Sequence, residues 1–346
     1  MYGLPVGQKM ELRVFKSERS PIITGPKNFL GFLLLEGIES GDKISTLKTP
    51  PKVCQHWLSG NCVKGDNCQF IHSWFCGNGI SMLAKLDGHK KAISGIALPL
   101  GSDKLYSGSR DGIACPMLLR HGTLSHRLNL ALMNQSGQVY CMVIANEMLF
   151  AGAQDGGILA WKGSPGTENP FHLAGSLRGH SHVVTCLTVG GKMLYSGSMD
   201  NTIRVWDVDT LQSVMTLDSH TDAPMSLLCW DQYLLSCSLD RTIKVWVAAE
   251  GGNLEVTYTH NEEHGVLVLS GMNDADGQPV LLCACNDNST RLYELPSFTE
   301  RGRIFSKREV REIQIGPDGL FFTGDGTGML SVWKLLAKSS GVAERL

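Results

Sequence analysis

The chain has 346 residues, 42% of them hydrophobic and 18% charged, so it can bury a sizeable core and is not generically disordered. Its 31 Lys and Arg against 33 Asp and Glu leave a formal net charge of −2, which excludes a chain that coats nucleic acid by charge alone. The longest apolar run, Phe29 to Leu35, is interrupted by Gly31, falls well short of the roughly 18 residues of a membrane helix, and lies too deep for a secretion signal. Eleven cysteines without such a signal point to a reducing interior, nucleus or cytoplasm, where clustered Cys are read as metal ligands rather than disulfides. The 39 glycines suit many short strands joined by tight turns.

In chain order, residues 1–48 carry no clear period and read as a disordered or peripheral segment. A compact cluster follows over 49–76. Cys54, Cys62, Cys68 and His72 have the spacing C-x7-C-x5-C-x3-H, and Gly60 and Gly65 supply turns between them. Three thiolates and one imidazole make a closed tetrahedral set for one structural Zn2+, with no open position for a catalytic water. So short a segment has no core of its own, and metal binding must supply its folding energy, on the order of 10–16 kcal/mol. Cys76, four residues past His72, is a conceivable substitute ligand. The spacing resembles the CCCH zinc fingers of the tristetraprolin type, in which aromatic side chains near the ligands stack on single-stranded RNA bases. That resemblance implies nucleic-acid contacts at Trp57 and Phe70, with Lys64 at the third aromatic position, where it reaches phosphate but does not stack. The alternative is that Trp57 and Phe70 only pack the miniature zinc core. The finger is close to neutral, so its affinity for RNA or DNA is expected to be weak alone and sensitive to salt.

From residue 79 the sequence repeats. Leu194-Tyr-Ser-Gly-Ser-Met-Asp200-Asn-Thr-Ile-Arg-Val-Trp206 and Leu234-Leu-Ser-Cys-Ser-Leu-Asp240-Arg-Thr-Ile-Lys-Val-Trp246 are near copies, each an Asp in a turn, an alternating strand, then Trp. The same frame recurs at Asp111/Met117, Asp155/Trp161, Asp287/Tyr293 and Thr327/Trp333, at a mean spacing of about 43 residues. A His column precedes it at His89, His180, His220 and, more loosely, His264. Gly-His, strand, Ser-Gly-Ser-x-Asp and Trp in register resemble the WD-repeat β-propellers. The resemblance implies an all-β propeller over 79–338, with a tail at 339–346, and buried tetrads His180, Ser196, Asp200, Trp206 and His220, Ser236, Asp240, Trp246. The other repeats are incomplete: Met117 and Tyr293 replace Trp, and Ala151 replaces the hydroxyl. The chain ends soon after Trp333, so Ile80 to Leu86 is expected to complete the last blade and close the ring.

One stretch breaks the frame. After Gly112 the expected strand is replaced by a segment containing Pro116, which cannot donate to a central ladder, and no further repeat is visible before Gly137. Six blade signatures therefore stand where seven is the commonest number in such propellers. Either the ring has six blades, or most of one has been lost through an altered transcript in 112–137.

A CCCH finger followed directly by a WD-repeat propeller resembles the plant family of CCCH-finger/WD-repeat proteins. That resemblance implies a nucleic-acid-associated adaptor, with the finger on single-stranded RNA (or DNA) and the propeller on protein partners. The competing expectation is a pure protein scaffold whose finger is structural. An enzyme is not expected, nor a small-molecule substrate or a membrane: the Ser, His and Asp residues recur in every complete repeat, as scaffold members do, whereas a catalytic set occurs once.

Overall fold

A computed structural model describes residues 52–98, 104–109, 114–118, 139–146, 148–163 and 171–337. The expectations for residues 1–48, Asp111, most of 112–137 and the tail at 339–346 lie outside the described residues. The finger carries one helical turn, α1 (Gln55–Leu58), and a 3-10 turn over Gly65–Asn67. The rest of the described chain is strand and turn. No described helix is long and apolar enough to cross a membrane.

Two strands, β1 (Phe75–Gly77) and β2 (Ile80–Leu86), come first. Six antiparallel sheets follow in chain order. The first blade is β3 (Ile93–Ala97), β4 (Lys104–Ser109) and β5 (Ala114–Leu118); the second is β6 (Val139–Ala145), β7 (Met148–Ala153), β8 (Ile158–Gly163) and β9 (Phe171–Leu177). The third is β10 (Val184–Gly190), β11 (Met193–Ser198), β12 (Ile203–Asp207) and β13 (Ser213–Leu217); the fourth is β14 (Pro224–Trp230), β15 (Tyr233–Ser238), β16 (Thr242–Ala248) and β17 (Leu254–Asn261). The fifth is β18 (Val266–Asn273), β19 (Pro279–Cys285), β20 (Ser289–Glu294) and β21 (Thr299–Phe305), and the sixth β22 (Val310–Ile315), β23 (Leu320–Asp325) and β24 (Leu330–Leu335).

The turn into the third strand of a blade needs one residue in the left-handed region. Asn201, Asn288, Gly156 and Gly328 occupy it, residue types that tolerate positive φ, and so does Arg241. Within the third strand the register slips by one residue beside the aromatic position, at Val205/Trp206, Val245/Trp246 and Leu292/Tyr293. Such a bulge increases the local twist and re-aims a side chain.

The chain closes its last blade as the sequence implies: β2 pairs with β24 from Ile80↔Leu335 to Leu86↔Leu330. The sequence did not announce a second stitch. Phe75–Gly77 lies at the end of the segment expected to belong to the finger, yet it adds a fifth strand to the fifth blade, with Cys76 opposite Arg303 and Gly77 opposite Gly302.

Two further findings concern the irregular stretch. The strand expected to be missing after Gly112 is present as β5, and Pro116 lies opposite Tyr106. It is tolerated because β5 is the outer strand of its sheet among the described residues, where a missing N–H costs no ladder bond on the open side. Among the described residues the six blades pack as an open row. Inner strands pack on one another in the order β6, β10, β14, β18, β22, β3, so β6 and β3 are the two ends. Five apolar layers accompany six blades, each filling one seam of the row. On β6 the side chains of Tyr140, Met142 and Ile144 are 40%, 51% and 58% exposed. The matching Leu187 and Val189 on β10 pack into the seam with the second blade.

Candidate metal centre and the buried tetrads

The finger is folded by its backbone around the four ligand side chains. Cys54 N–H donates to the carbonyl of Ile71 (3.0 Å) and Ile71 N–H to that of Lys52 (3.0 Å), which brings the first and last ligands side by side. Cys54 caps α1, its Sγ accepting from the N–H of Trp57 at 3.4 Å. Gly60 (φ +78°) and Gly65 (φ +49°) turn the chain back so that Cys62 and Cys68 face it. The ligand atoms of Cys54, Cys62, Cys68 and His72 all lie within 4.8 Å of one another, close to what a tetrahedral zinc with bonds of 2.0–2.3 Å requires.

Three observations fit one Zn2+ at this centre. The donors are three thiols and one imidazole. His72 Nε2 is buried with no hydrogen-bond partner, a cost that a metal bond removes. Burial opposes ionisation of Cys54, yet the Trp57 N–H and the clustered donors outweigh it and lower the thiol to about 6, toward the thiolate that metals bind, while burial and the neighbouring thiols raise Cys68. Cys76 is not in the group; it sits in β1 beside Arg303, where burial raises its thiol.

The candidate nucleic-acid residues separate in space. Phe70, between Cys68 and His72, is 48% exposed, and Lys64, between Cys62 and Cys68, is exposed too. Trp57 is half-buried instead: its ring stacks on His72 (centroids 5.7 Å apart, planes 12° apart) and leans on Trp74 at 5.0 Å. Trp74 in turn lies against the apolar seam of the fifth and sixth blades and carries Lys85 Nζ over its face, 2.8 Å from the ring centre. Its carbonyl accepts from Phe305 N–H (2.8 Å). The finger is thus docked on the propeller through aromatic contacts that ligand spacing alone does not reveal.

In the third blade, His180 Nδ1 meets Asp200 Oδ2 at 2.9 Å and its Nε2 meets Ser196 Oγ at 2.7 Å, while Trp206 Nε1 donates to the same hydroxyl at 2.8 Å. In the fourth, His220, Asp240, Ser236 and Trp246 repeat the arrangement at 2.7, 2.7 and 2.8 Å. Each links the loop before the inner strand to the second and third strands, so a blade is pinned internally by polar bonds and laterally by apolar layers. Partial versions survive elsewhere: His89 with Ser107 at 2.9 Å in the first blade, Trp333 donating to Thr323 at 2.9 Å in the sixth. The fifth blade uses different chemistry. Cys283 takes the hydroxyl position, Tyr293 Oη donates to Glu262 Oε1 at 2.6 Å, and buried Arg291 pairs with the same Glu262. Sequence reasoning missed Glu262 and Arg291 because they lie outside the recurring columns.

Comparison with known proteins agrees with both modules. The family model described as a WD domain, G-beta repeat, matches residues 80–115, 171–207 and 211–247, and one described as a zinc finger domain matches 54–72. The chain is 51% identical to zinc finger CCCH domain-containing protein 17 of Oryza sativa subsp. japonica over 326 residues, covering 85% of this chain and 75% of that protein. It is 48% identical to zinc finger CCCH domain-containing protein 48 of Arabidopsis thaliana over 330 residues, covering 86% and 76%. Both alignments span more positions than the part of this chain they cover, so these relatives hold on the order of thirty internal residues that this chain lacks, most of a blade's length. The crystal structure of the computationally designed Ika8 protein superposes with a TM-score of 0.53 at 19% identity over 73% of this chain and 99% of that one, a likeness of fold. With these relatives and both modules in the same order, the chain belongs to the family of zinc finger CCCH domain-containing proteins that carry WD repeats.

Proposed function

We propose that the protein is a zinc-binding, nucleic-acid-associated adaptor of the nucleus or cytoplasm, a binding protein rather than an enzyme. The finger contacts single-stranded RNA, or DNA, and the propeller offers its loops and faces to protein partners. The observation that carries the first half is Phe70: a large apolar ring two residues before a metal ligand, 48% exposed, on a finger that also exposes Lys64. A ring displayed in this way suits base stacking, with the nearby lysine on phosphate. The competing reading, a structural finger on a pure protein scaffold, draws support from Trp57, whose ring is engaged by His72 and Trp74.

The test is fluorescence anisotropy of the zinc-loaded full chain with a random single-stranded RNA pool and its DNA counterpart at two salt concentrations. Phe70→Ala is expected to weaken binding roughly five- to a hundredfold, the equivalent of one stacked base. Binding unchanged by Phe70→Ala, or no binding by the wild type at low salt, favours the structural finger.

A further inference from the structure

The seam between the fifth and sixth blades opens, under the finger, into a cavity of about 210 Å³. Its lining includes Trp74, Phe305 and Trp333 together with Lys85, whose Nζ lies over the Trp74 ring, and Lys307. The volume is below the roughly 300–1,000 Å³ of sites that take whole cofactors, but above the roughly 150 Å³ that holds one benzene ring, so it suits a single planar group of a larger ligand.

The charges in the lining are unbalanced. Lys85 is half-buried and Lys307 exposed, and neither forms an ion pair among the described residues. Burial and the neighbouring Lys307 lower Lys85 to about 8, while Asp325 and Asp87 act in the opposite direction. Asp325 is the one carboxylate in the lining, and its Oδ1 already accepts from Thr327 N–H (2.8 Å), Met329 N–H (3.1 Å) and Thr327 Oγ1 (2.5 Å). Two ammoniums against one carboxylate leave the lining with one positive charge in excess. Trp74 belongs both to this lining and to the aromatic contact with Trp57, so the lining touches the finger.

We propose that this cavity is a nucleotide subsite: one base of a single strand leaving the finger enters between Trp74, Phe305 and Trp333, and its phosphate lies on Lys85 and Lys307. The proposal rests on the reading of the finger as a single-strand binder and extends that surface onto the propeller. It gives the near-neutral finger the phosphate contacts it lacks, by linking two weak sites on one chain.

The test uses the zinc-loaded full chain and two single-stranded RNA probes, one of about four nucleotides that occupies the finger alone and one of about twelve that reaches the cavity. The double variant Lys85→Gln/Lys307→Gln is expected to weaken binding of the long probe about tenfold and to flatten its log K against log salt slope by about 0.7 for each lysine removed. The short probe is expected to bind unchanged. Lys307→Gln alone, at an exposed position, gives half of the slope change without disturbing the contact on Trp74. Long-probe binding and slope unaltered in both variants, while Phe70→Ala still weakens both probes, overturn the subsite and leave the finger reading standing. A wild type that binds neither probe overturns both. Loss of affinity for a polyglutamate peptide in the double variant, with long-probe binding intact, also overturns it, in favour of an acidic protein partner.

Discussion

The tetrads show how single side chains set the conditions under which the propeller is stable. Burial raises the cost of charge on Asp200, but the Thr202 hydroxyl (2.6 Å), His180 and the Ser181 N–H (3.0 Å) outweigh it and hold the carboxyl at about 2; Asp240 lies further below the usual range for the same reasons. Burial keeps His180 below its ordinary value despite the carboxylate beside it. Both shifts are depressions relative to the unfolded chain, so both contribute stability that is complete near neutrality. That contribution is lost as acid first charges the histidine, below about pH 6.5, and then protonates the aspartates below about pH 4. Asp200→Asn is expected to cost about 2 kcal/mol at neutral pH, with the difference from wild type shrinking toward zero by about pH 2. Denaturant titrations of the two proteins across that range check it; a penalty independent of pH would remove the ionised Asp200 from the account. These residues were legible because they recur: His, Ser, Asp and Trp at fixed offsets in two near copies leave few other readings. Glu262, Arg291 and Tyr293 replace them in the fifth blade with an ion pair that occurs once, and periodicity does not detect a singular solution.

At the scale of elements, the joint between the modules is the part the sequence concealed. Strand β2 was foreseeable, because Ile80 to Leu86 directly precedes the first Gly-His of the repeat frame. Strand β1 was not: three residues, Phe-Cys-Gly, show no alternation and sit next to the zinc ligands. What holds β1 in place is close approach. Gly77 has φ +109°, and a Cβ there would lie 2.4 Å from Gly302 Cα and 2.5 Å from the Arg301 carbonyl. Buried Arg301 fastens the same corner, donating to Asp274 (2.6 Å) and to the carbonyls of Leu336 (2.6 Å) and Asn78 (3.3 Å). Gly77→Ala is therefore expected to push β1 off β21 and cost about 2 kcal/mol. Limited proteolysis should then cut between His72 and Gly79, a segment expected to resist in the wild type; equal resistance would mean that β1 contributes nothing to docking.

At the scale of the whole molecule, the count of six signatures is matched by six blades. The alignments leave this chain on the order of thirty internal residues shorter than the plant proteins, most of a blade's length. Among the described residues β6, at one end of the row, turns to solvent a face with the composition of an interior one. Leu187 and Met142 occupy the same place on consecutive inner strands, the first inside a seam and the second 51% exposed. Leu187→Ala is expected to lower stability by about 2 kcal/mol or more, and Met142→Ala by less than about 0.5 kcal/mol. Equal penalties in thermal unfolding would mean that β6 has a packed neighbour and the ring is closed.

The pairing of β2 with β24 also governs how the protein is made. The partners are about 250 residues apart in the chain, which at 5–20 residues per second places roughly 10–50 s between the synthesis of one strand and the other. The zinc finger, whose energy is local, is complete almost as soon as it leaves the ribosome. The strand directly behind it then waits with an open edge while five blades assemble ahead of its partner. Ile80–Leu86 is therefore where the nascent chain is expected to need most protection from other strands.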